Sequence, residues 1–227
     1  MCGRFTLTET NPDVLAQTFN LGTVPADLPP RYNIAPTQPV ATVVNNPHSG
    51  ENELVIMRWG LVPSWAKDLS IGNQMINARY ETAAEKPAFR SALSRRRCLV
   101  IADGFYEWKK DGADGKMPMY IALQGHPPFG FAGLWERWTE PASGEVISTC
   151  TILTGEPNEL IAPIHNRMAI IVPRDDYEEW LDPAQTDAKQ AAALLRPYPA
   201  GGMMVYPVSK RVNSPSYDGP ELITRAG

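Results

Sequence analysis

With 227 residues, 43% of them hydrophobic and 20% charged, the chain has ample apolar material for one core, which excludes a disordered or fibrous protein. A formal net charge of -4 argues against a protein that coats nucleic acid non-specifically, because that affinity comes from Lys and Arg releasing counterions from phosphates. No run approaches the roughly 18 apolar residues that cross a bilayer, and the start Met-Cys-Gly-Arg-Phe-Thr lacks the basic-then-apolar layout of a signal peptide, so a cytoplasmic protein without a membrane partner is expected.

Twenty-two prolines and 17 glycines cut the sequence into short elements, with no repeat and no polar linker, which predicts a single domain over 1–227. In chain order, 12–19 has helical spacing, with Asn11 as its cap and Pro12 in its first turn. Residues 40–44 and 54–59 read as strands and 87–93 as a helix. The runs 98–106, 119–123, 129–134, 148–153 and 168–172 read as further strands. Residues 174–181 and the Ala-rich 187–195 are helical, and 203–207 is the last strand. Strands outnumber helices and do not alternate with them, so the expected class is α+β, with a mostly antiparallel, barrel-like sheet core and flanking short helices.

Cofactor signatures are missing. There is no G-x-G-x-x-G, Walker A, H-E-x-x-H or G-x-S-x-G pattern, and the three histidines at 48, 126 and 165 make a poor metal set. Cys2, Cys98 and Cys150 include no C-x-x-C pair, so neither a disulfide framework nor a zinc site is expected. No cofactor and no metal are expected. Cys98 and Cys150 sit among apolar or β-branched residues and read as buried strand positions. Residues 1–110 hold 12 Lys/Arg against 10 Asp/Glu, while 111–227 hold 9 against 15, so an anion-binding face would be compact and built mainly from the first half.

Cys2 carries unusual chemistry once the initiator Met is removed. The free α-amine, with a pKa of about 7.7–8.0 against about 10.4 for Lys, is roughly one quarter unprotonated at pH 7.4. It attacks an aldehyde to give a Schiff base, and the thiol of the same residue then closes a five-membered thiazolidine. The same amine can instead serve as base for an attacking sulfur, the chemistry of N-terminal-nucleophile amidohydrolases. A retained Met1 would turn the amine into an amide and forbid the first route. Three further polar residues stand in apolar or turn settings: Asn77, Glu107 and His165. A carboxylate among aromatics, as in Gly104-Phe105-Tyr106-Glu107-Trp108, suits proton transfer because its pKa is raised, although the adjacent Lys109 and Lys110 equally fit a solvated strand end. His165 follows Pro163 in a rigid turn and reads as a structural or a catalytic imidazole; Asn77 could equally cap a turn.

Several blocks, taken together and in order, resemble the SRAP (SOS response-associated peptidase) family: Met-Cys-Gly-Arg at 1–4, Arg-Tyr-Asn-Ile-Ala-Pro at 31–36, Trp-Gly-Leu-Val-Pro-Ser-Trp at 59–65, Ile-Asn-Ala-Arg at 76–79 with Glu81-Thr82, Ala-Asp-Gly-Phe-Tyr-Glu-Trp at 102–108, His-Asn-Arg-Met at 165–168 and Val-Ser-Lys-Arg-Val-Asn at 208–213. The resemblance implies a compact α+β fold with a positively charged groove for single-stranded DNA, acting as a monomer in the DNA damage response. It implies that Cys2 cross-links covalently to the aldehyde of an abasic site, that Asn77 holds the Cys2 amine or the sugar, that Glu107 moves protons, and that His165 assists opening of the deoxyribose. Abasic-site lyase activity and a peptidase activity, at minimum self-removal of Met1, belong to the same expectation, as does a nucleoid association in a bacterium.

Arg4, Arg79 and Arg167 lie two residues from Cys2, Asn77 and His165, the spacing that puts two side chains on one face of a strand, and are expected to clamp phosphates. Trp65 and Trp108 are expected to stack on bases, Asn33 and Pro36 to shape the groove wall, and Trp59 and Trp135 to pack in the core. Two departures stand out: Trp65-Ala66 where family members often carry two tryptophans, and Pro87 where they carry a basic residue. Arg95, Arg96 and Arg97 read as a solvated helix end. Two other functions compete: an N-terminal-nucleophile amidohydrolase or amidotransferase, and a non-covalent reader of modified DNA, whose binding would survive Cys2→Ala.

Overall fold

A computed structural model describes residues 2–111 and 115–226. The chain runs β1 (Phe5–Leu7), α1 (Pro12–Phe19), β2 (Arg31–Ile34), β3 (Pro39–Asn45), β4 (Asn52–Trp59), β5 (Asn77–Arg79), α2 (Tyr80–Ala83), α3 (Arg90–Arg95), β6 (Arg97–Ala102), β7 (Gly104–Asp111) and β8 (Gly115–Leu123). It continues through β9 (Phe129–Thr139), β10 (Val146–Gly155), β11 (Met168–Ala169), β12 (Ile171–Val172), α4 (Tyr177–Leu181), α5 (Ala188–Ala193) and β13 (Met203–Pro207), with 3-10 turns that include Leu69–Gln74 and Lys210–Asn213.

Five strands close on themselves. β10 pairs with β4, β4 with β3, β3 with β6, β6 with β9, and β9 returns to β10. Only the β4–β10 seam is parallel, through Thr149↔Arg58 and Cys150↔Trp59. An antiparallel sheet ordered β13-β8-β7-β1-β2 flanks this barrel. The α+β class with a barrel core is as the sequence predicts. β6 is buried at all six positions, which explains its unbroken apolar run Cys98-Leu99-Val100-Ile101-Ala102. Cys98 and Cys150 are both buried free thiols.

The differences from expectation have local causes. The predicted strand 98–106 breaks at Asp103, where the chain leaves the barrel for the flanking sheet and the carboxylate turns back onto β1. The run 168–172 breaks at Ile170, whose amide bonds to Leu153 on β10 while its carbonyl accepts from Ala132 on β9, so one segment bridges two strands. The helix expected at 87–93 begins at Arg90, and 174–181 opens as a 3-10 turn over Arg174–Asp176 before α4. α1 matches its prediction: Asn11 accepts from the Asp13 and Val14 amides, and Asn20 ends the helix at φ 52°.

Arg97 corrects the reading of 95–97 as a solvated helix end. Arg95 is exposed, but Arg97 opens β6 pointing inward, and its guanidinium donates to the carbonyls of Leu93, Ser94, Trp180 and Asp182. It satisfies carbonyls at the ends of α3 and α4 that have no partner within their own helices.

Candidate active site

β1 lies in the flanking sheet between β7 and β2, so the residues before it run along the end of β7 that carries Glu107. Phe5 pins the strand to the barrel by edge-on contacts with Trp59 and Phe131, at ring separations of 5.0 and 6.0 Å. The Arg4 carbonyl accepts from the Tyr106 amide at 3.0 Å and from the Cys2 thiol at 3.7 Å. Cys2 is fully buried. Burial, with the negative charge of Glu107 adding to it, holds the thiol far above its ordinary pKa, so sulfur stays protonated until a base removes its proton.

Asn77 arrives from the barrel side. Gly60 takes φ 127°, and a Cβ there would lie 2.5 Å from the Gly72 carbonyl oxygen, so only glycine lets the 61–75 loop fold back this closely. The loop is anchored by Leu61 N to Met75 O at 3.1 Å and by Trp59 Nε1 to Ile76 O at 2.8 Å, which seats β5 on β10. Asn77 Nδ2 then donates to the Cys2 carbonyl at 2.7 Å. Its Oδ1 is buried and has no hydrogen-bond partner among the described residues. A buried acceptor left open costs about 1–3 kcal/mol, which makes it a place for an incoming donor.

Glu107, only 2% exposed, sits on β7 opposite Met119 of β8. Burial pushes its carboxyl above the ordinary range, while the charge of His165 pulls the other way. His165 ends a turn in which Asn158 Oδ1 accepts from the Leu160 and Ile161 amides at 3.1 and 3.0 Å and the His165 amide bonds to Ile161 O. Its Nδ1 lies 3.0 Å from the Arg167 amide nitrogen and 3.1 Å from the Arg167 carbonyl oxygen. The neutral ring accepts from that amide and carries its proton on Nε2; the cationic ring can turn Nδ1–H onto the carbonyl. The turn therefore accommodates both protonation states.

The four residues singled out for chemistry, Cys2, Asn77, Glu107 and His165, thus converge from β1, β5, β7 and a barrel-rim turn. The residues expected on DNA divide. Trp65 is 60% exposed in the 61–75 loop, Arg79 is exposed at the end of β5, and Trp108 is half-buried with Nε1 donating to Asn213 Oδ1 at 2.8 Å. Asn33, expected to shape the groove wall, is fully buried, Nδ2 donating to the carbonyls of Val212, Ser214 and Tyr217 and Oδ1 accepting from Arg4, so its side chain is engaged within the protein. Arg4 and Arg167 are likewise committed within the protein. Arg4 donates to Asn33 Oδ1, Val212 O and Asn213 O. Arg167 makes a two-pronged pair with Glu81 at 2.5 and 2.8 Å and also reaches Thr154 O, tying the His165 turn to the segment that carries Asn77. This pairing holds the Glu81 carboxyl below its ordinary pKa.

At the two departures, Ala66 is buried beside Trp138, whose Nε1 donates to Ala66 O at 2.7 Å, and Pro87 is exposed next to exposed Lys86. Trp59 is fully buried as expected, and Trp135 is partly so. No cluster of metal-binding side chains occurs among the described residues, and no described helix is long and apolar enough to cross a membrane. The expected loss of Met1 concerns a residue outside those described.

A thiol on the second residue, buried beside an amide, a carboxyl of raised pKa and an imidazole, defines a cysteine-centred site just before β1 of the sheet that flanks the barrel. Residues 1–215 match the SOS response associated peptidase (SRAP) family, and the chain belongs to it. It is 47% identical over 98% of its length to abasic site processing protein YoqW of Bacillus subtilis, covering 99% of that protein. It is 34% identical to abasic site processing protein HMCES of Gallus gallus, matching 86% of this chain and 66% of that one. A crystal structure of a Bacteroides thetaiotaomicron protein superposes with a TM-score of 0.85 at 27% identity, over 99% of this chain and all of the other.

Proposed function

We propose that the protein captures abasic sites in single-stranded DNA as a thiazolidine cross-link through Cys2, once Met1 has been removed, and so shields the lesion in the DNA damage response. The observation that carries the reading is the convergence on Cys2 of an open amide acceptor and a carboxyl whose pKa is raised. Family membership and the relatives named for abasic-site processing support it.

The geometry supports the following chemistry. An abasic sugar is mostly a closed hemiacetal, so a proton must reach the ring oxygen and another must leave the C1′ hydroxyl before the aldehyde appears, work suited to His165 and Glu107. The Cys2 amine adds to C1′, and the carbinolamine loses water with a proton from Glu107, leaving a protonated Schiff base. Glu107, now a carboxylate, takes the thiol proton; sulfur adds to C1′, closing the ring and returning nitrogen to a neutral amine. In total, aldehyde, amine and thiol give thiazolidine and one water. Asn77 steadies the Cys2 carbonyl through Nδ2 and offers Oδ1 to the amine or a sugar hydroxyl. If C2′ loses its proton while the Schiff base persists, the 3′ phosphate is expelled, so lyase activity is the side reaction that ring closure suppresses. Arg79, Trp65 and Trp108 make the DNA contacts, while Arg4 and Arg167 act as framework. The peptidase activity is read as self-removal of Met1.

The test uses protein whose intact mass shows loss of Met1 and an oligonucleotide with one abasic site. An adduct that survives denaturation and is absent with Cys2→Ala is the expected result. No adduct from a chain starting at Cys2 overturns the proposal, and DNA binding that persists unchanged without any adduct would favour a non-covalent reader.

A further inference from the structure

Residues 209–218 contribute no group to that chemistry, yet they are fastened to the strands that carry Cys2 at one polar atom after another. Arg4 donates to Val212 O at 2.6 Å and Asn213 O at 3.3 Å, and Asn33 Nδ2 reaches Val212 O, Ser214 O and Tyr217 O at 3.3, 3.0 and 2.7 Å. Asn33 Oδ1 accepts from Arg4 at 3.0 Å, joining the two clamps. Asp218 closes the segment, accepting from the Tyr32 and Asn33 amides and from Arg31 Nε. Val212 is buried beneath it against Tyr106 and Tyr120. Asp218 lies beyond the stretch that matches the family, which ends at 215.

The consequence for Cys2 runs through Arg4. Its guanidinium is held by the segment, while its carbonyl is held by Tyr106 and receives the Cys2 thiol. The residue two positions from the nucleophile is therefore fixed at both ends, and its positive charge meets carbonyls and an amide in these contacts, with no carboxylate among them. We propose that Asp218 and Asn33 are positioning residues, which hold 209–218 as a strap that fixes Arg4 and, through it, the Cys2 thiol and amine. The strap acts mainly on the rate of the covalent step; Asn213, which also accepts from Trp108 Nε1, gives it a smaller effect on DNA affinity. This rests on the cross-linking reading above.

Asp218, with its side chain 28% exposed, can be changed with less risk to folding than the fully buried Asn33. Asp218→Ala and the conservative Asp218→Asn, which keeps one oxygen for the two amides, are compared with wild type. Single-turnover cross-linking is followed against DNA concentration, and alkylation of Cys2, Cys98 and Cys150 by N-ethylmaleimide is followed by peptide mass without DNA. Asp218→Ala is expected to lower the saturating rate about tenfold with the half-saturating DNA concentration within about twofold, to speed Cys2 alkylation at least about tenfold, and to leave Cys98 and Cys150 protected; Asp218→Asn recovers most of the rate. A raised half-saturating concentration with an unchanged rate, wild-type behaviour in both measurements, or parallel exposure of all three cysteines overturns the strap. If wild type forms no adduct, the cross-linking reading falls by itself, and alkylation selective for Cys2 still decides the strap.

Discussion

Two buried carboxyls four residues apart, Asp103 between β6 and β7 and Glu107 on β7, are each 2% exposed and yet are built for opposite ends. Asp103 accepts from the Thr6 hydroxyl, from the Thr8 hydroxyl at 2.7 Å and from the Thr8 and Glu9 amides, the last at 2.8 Å. Its charge is spread over four donors, and it fastens β1 to the junction of β6 and β7. Glu107 lies where burial outweighs its stabilising neighbours and raises its pKa, so its anion is held less favourably than in water. Burial alone thus distinguishes neither role: four donors converge on the Asp103 carboxyl, whereas at Glu107 burial outweighs the Trp108 amide and the charge of His165.

The sharpest way to test the contrast is to remove the group that Glu107 is proposed to serve. Cys2→Ala should abolish the denaturation-resistant adduct entirely, read on a denaturing gel. Glu107→Gln keeps the shape and removes the proton chemistry, and should slow cross-linking by about 10²–10⁴-fold in single-turnover assays. Its effect on stability runs the other way. Because the folded pKa is raised, Glu107 favours the folded state most below the ordinary carboxylate pKa of about 4.3, and that contribution is lost as pH rises through the folded value. Glu107→Gln should therefore match wild type in Tm near pH 4 and exceed it at pH 7–8, by about 2–4 °C for each kcal/mol of relieved strain. Equal differences at both pH values would break the comparison.

Asp103→Ala should do the reverse. Stranding the donors around it should cost about 2–4 kcal/mol in urea denaturation at neutral pH, with cross-linking per folded molecule unchanged. The smallest effect belongs outside both sites. Trp65→Ala should weaken binding of an unmodified single-stranded oligonucleotide by about 1–3 kcal/mol, measured by fluorescence anisotropy, without moving Tm.

Much of this was legible in the residues. The long β-branched and aromatic runs mark the barrel strands, and the polar residues set in apolar segments mark the site. Strands of three or four residues, β1, β2 and β5, are too short for a period to register, although β1 and β5 deliver Cys2 and Asn77. The roles of the arginines were hidden for a different reason. An i, i+2 spacing places Arg4 and Arg167 near the chemistry but cannot reveal that carbonyls at 212 and 213 and the Glu81 carboxylate occupy them. Nothing local marks Asp218, since its partners lie 185 or more residues away.

The convergence of Asn77, Glu107 and His165 on the second residue also sets a timetable for the growing chain. Cys2 cannot be enclosed until a ribosome has made His165, which at about 5–20 residues per second leaves its amino end uncovered for roughly 8–30 s. Under the proposed loss of Met1, that interval leaves the first methionine open to trimming from outside, whereas self-removal has to wait until His165 completes the site.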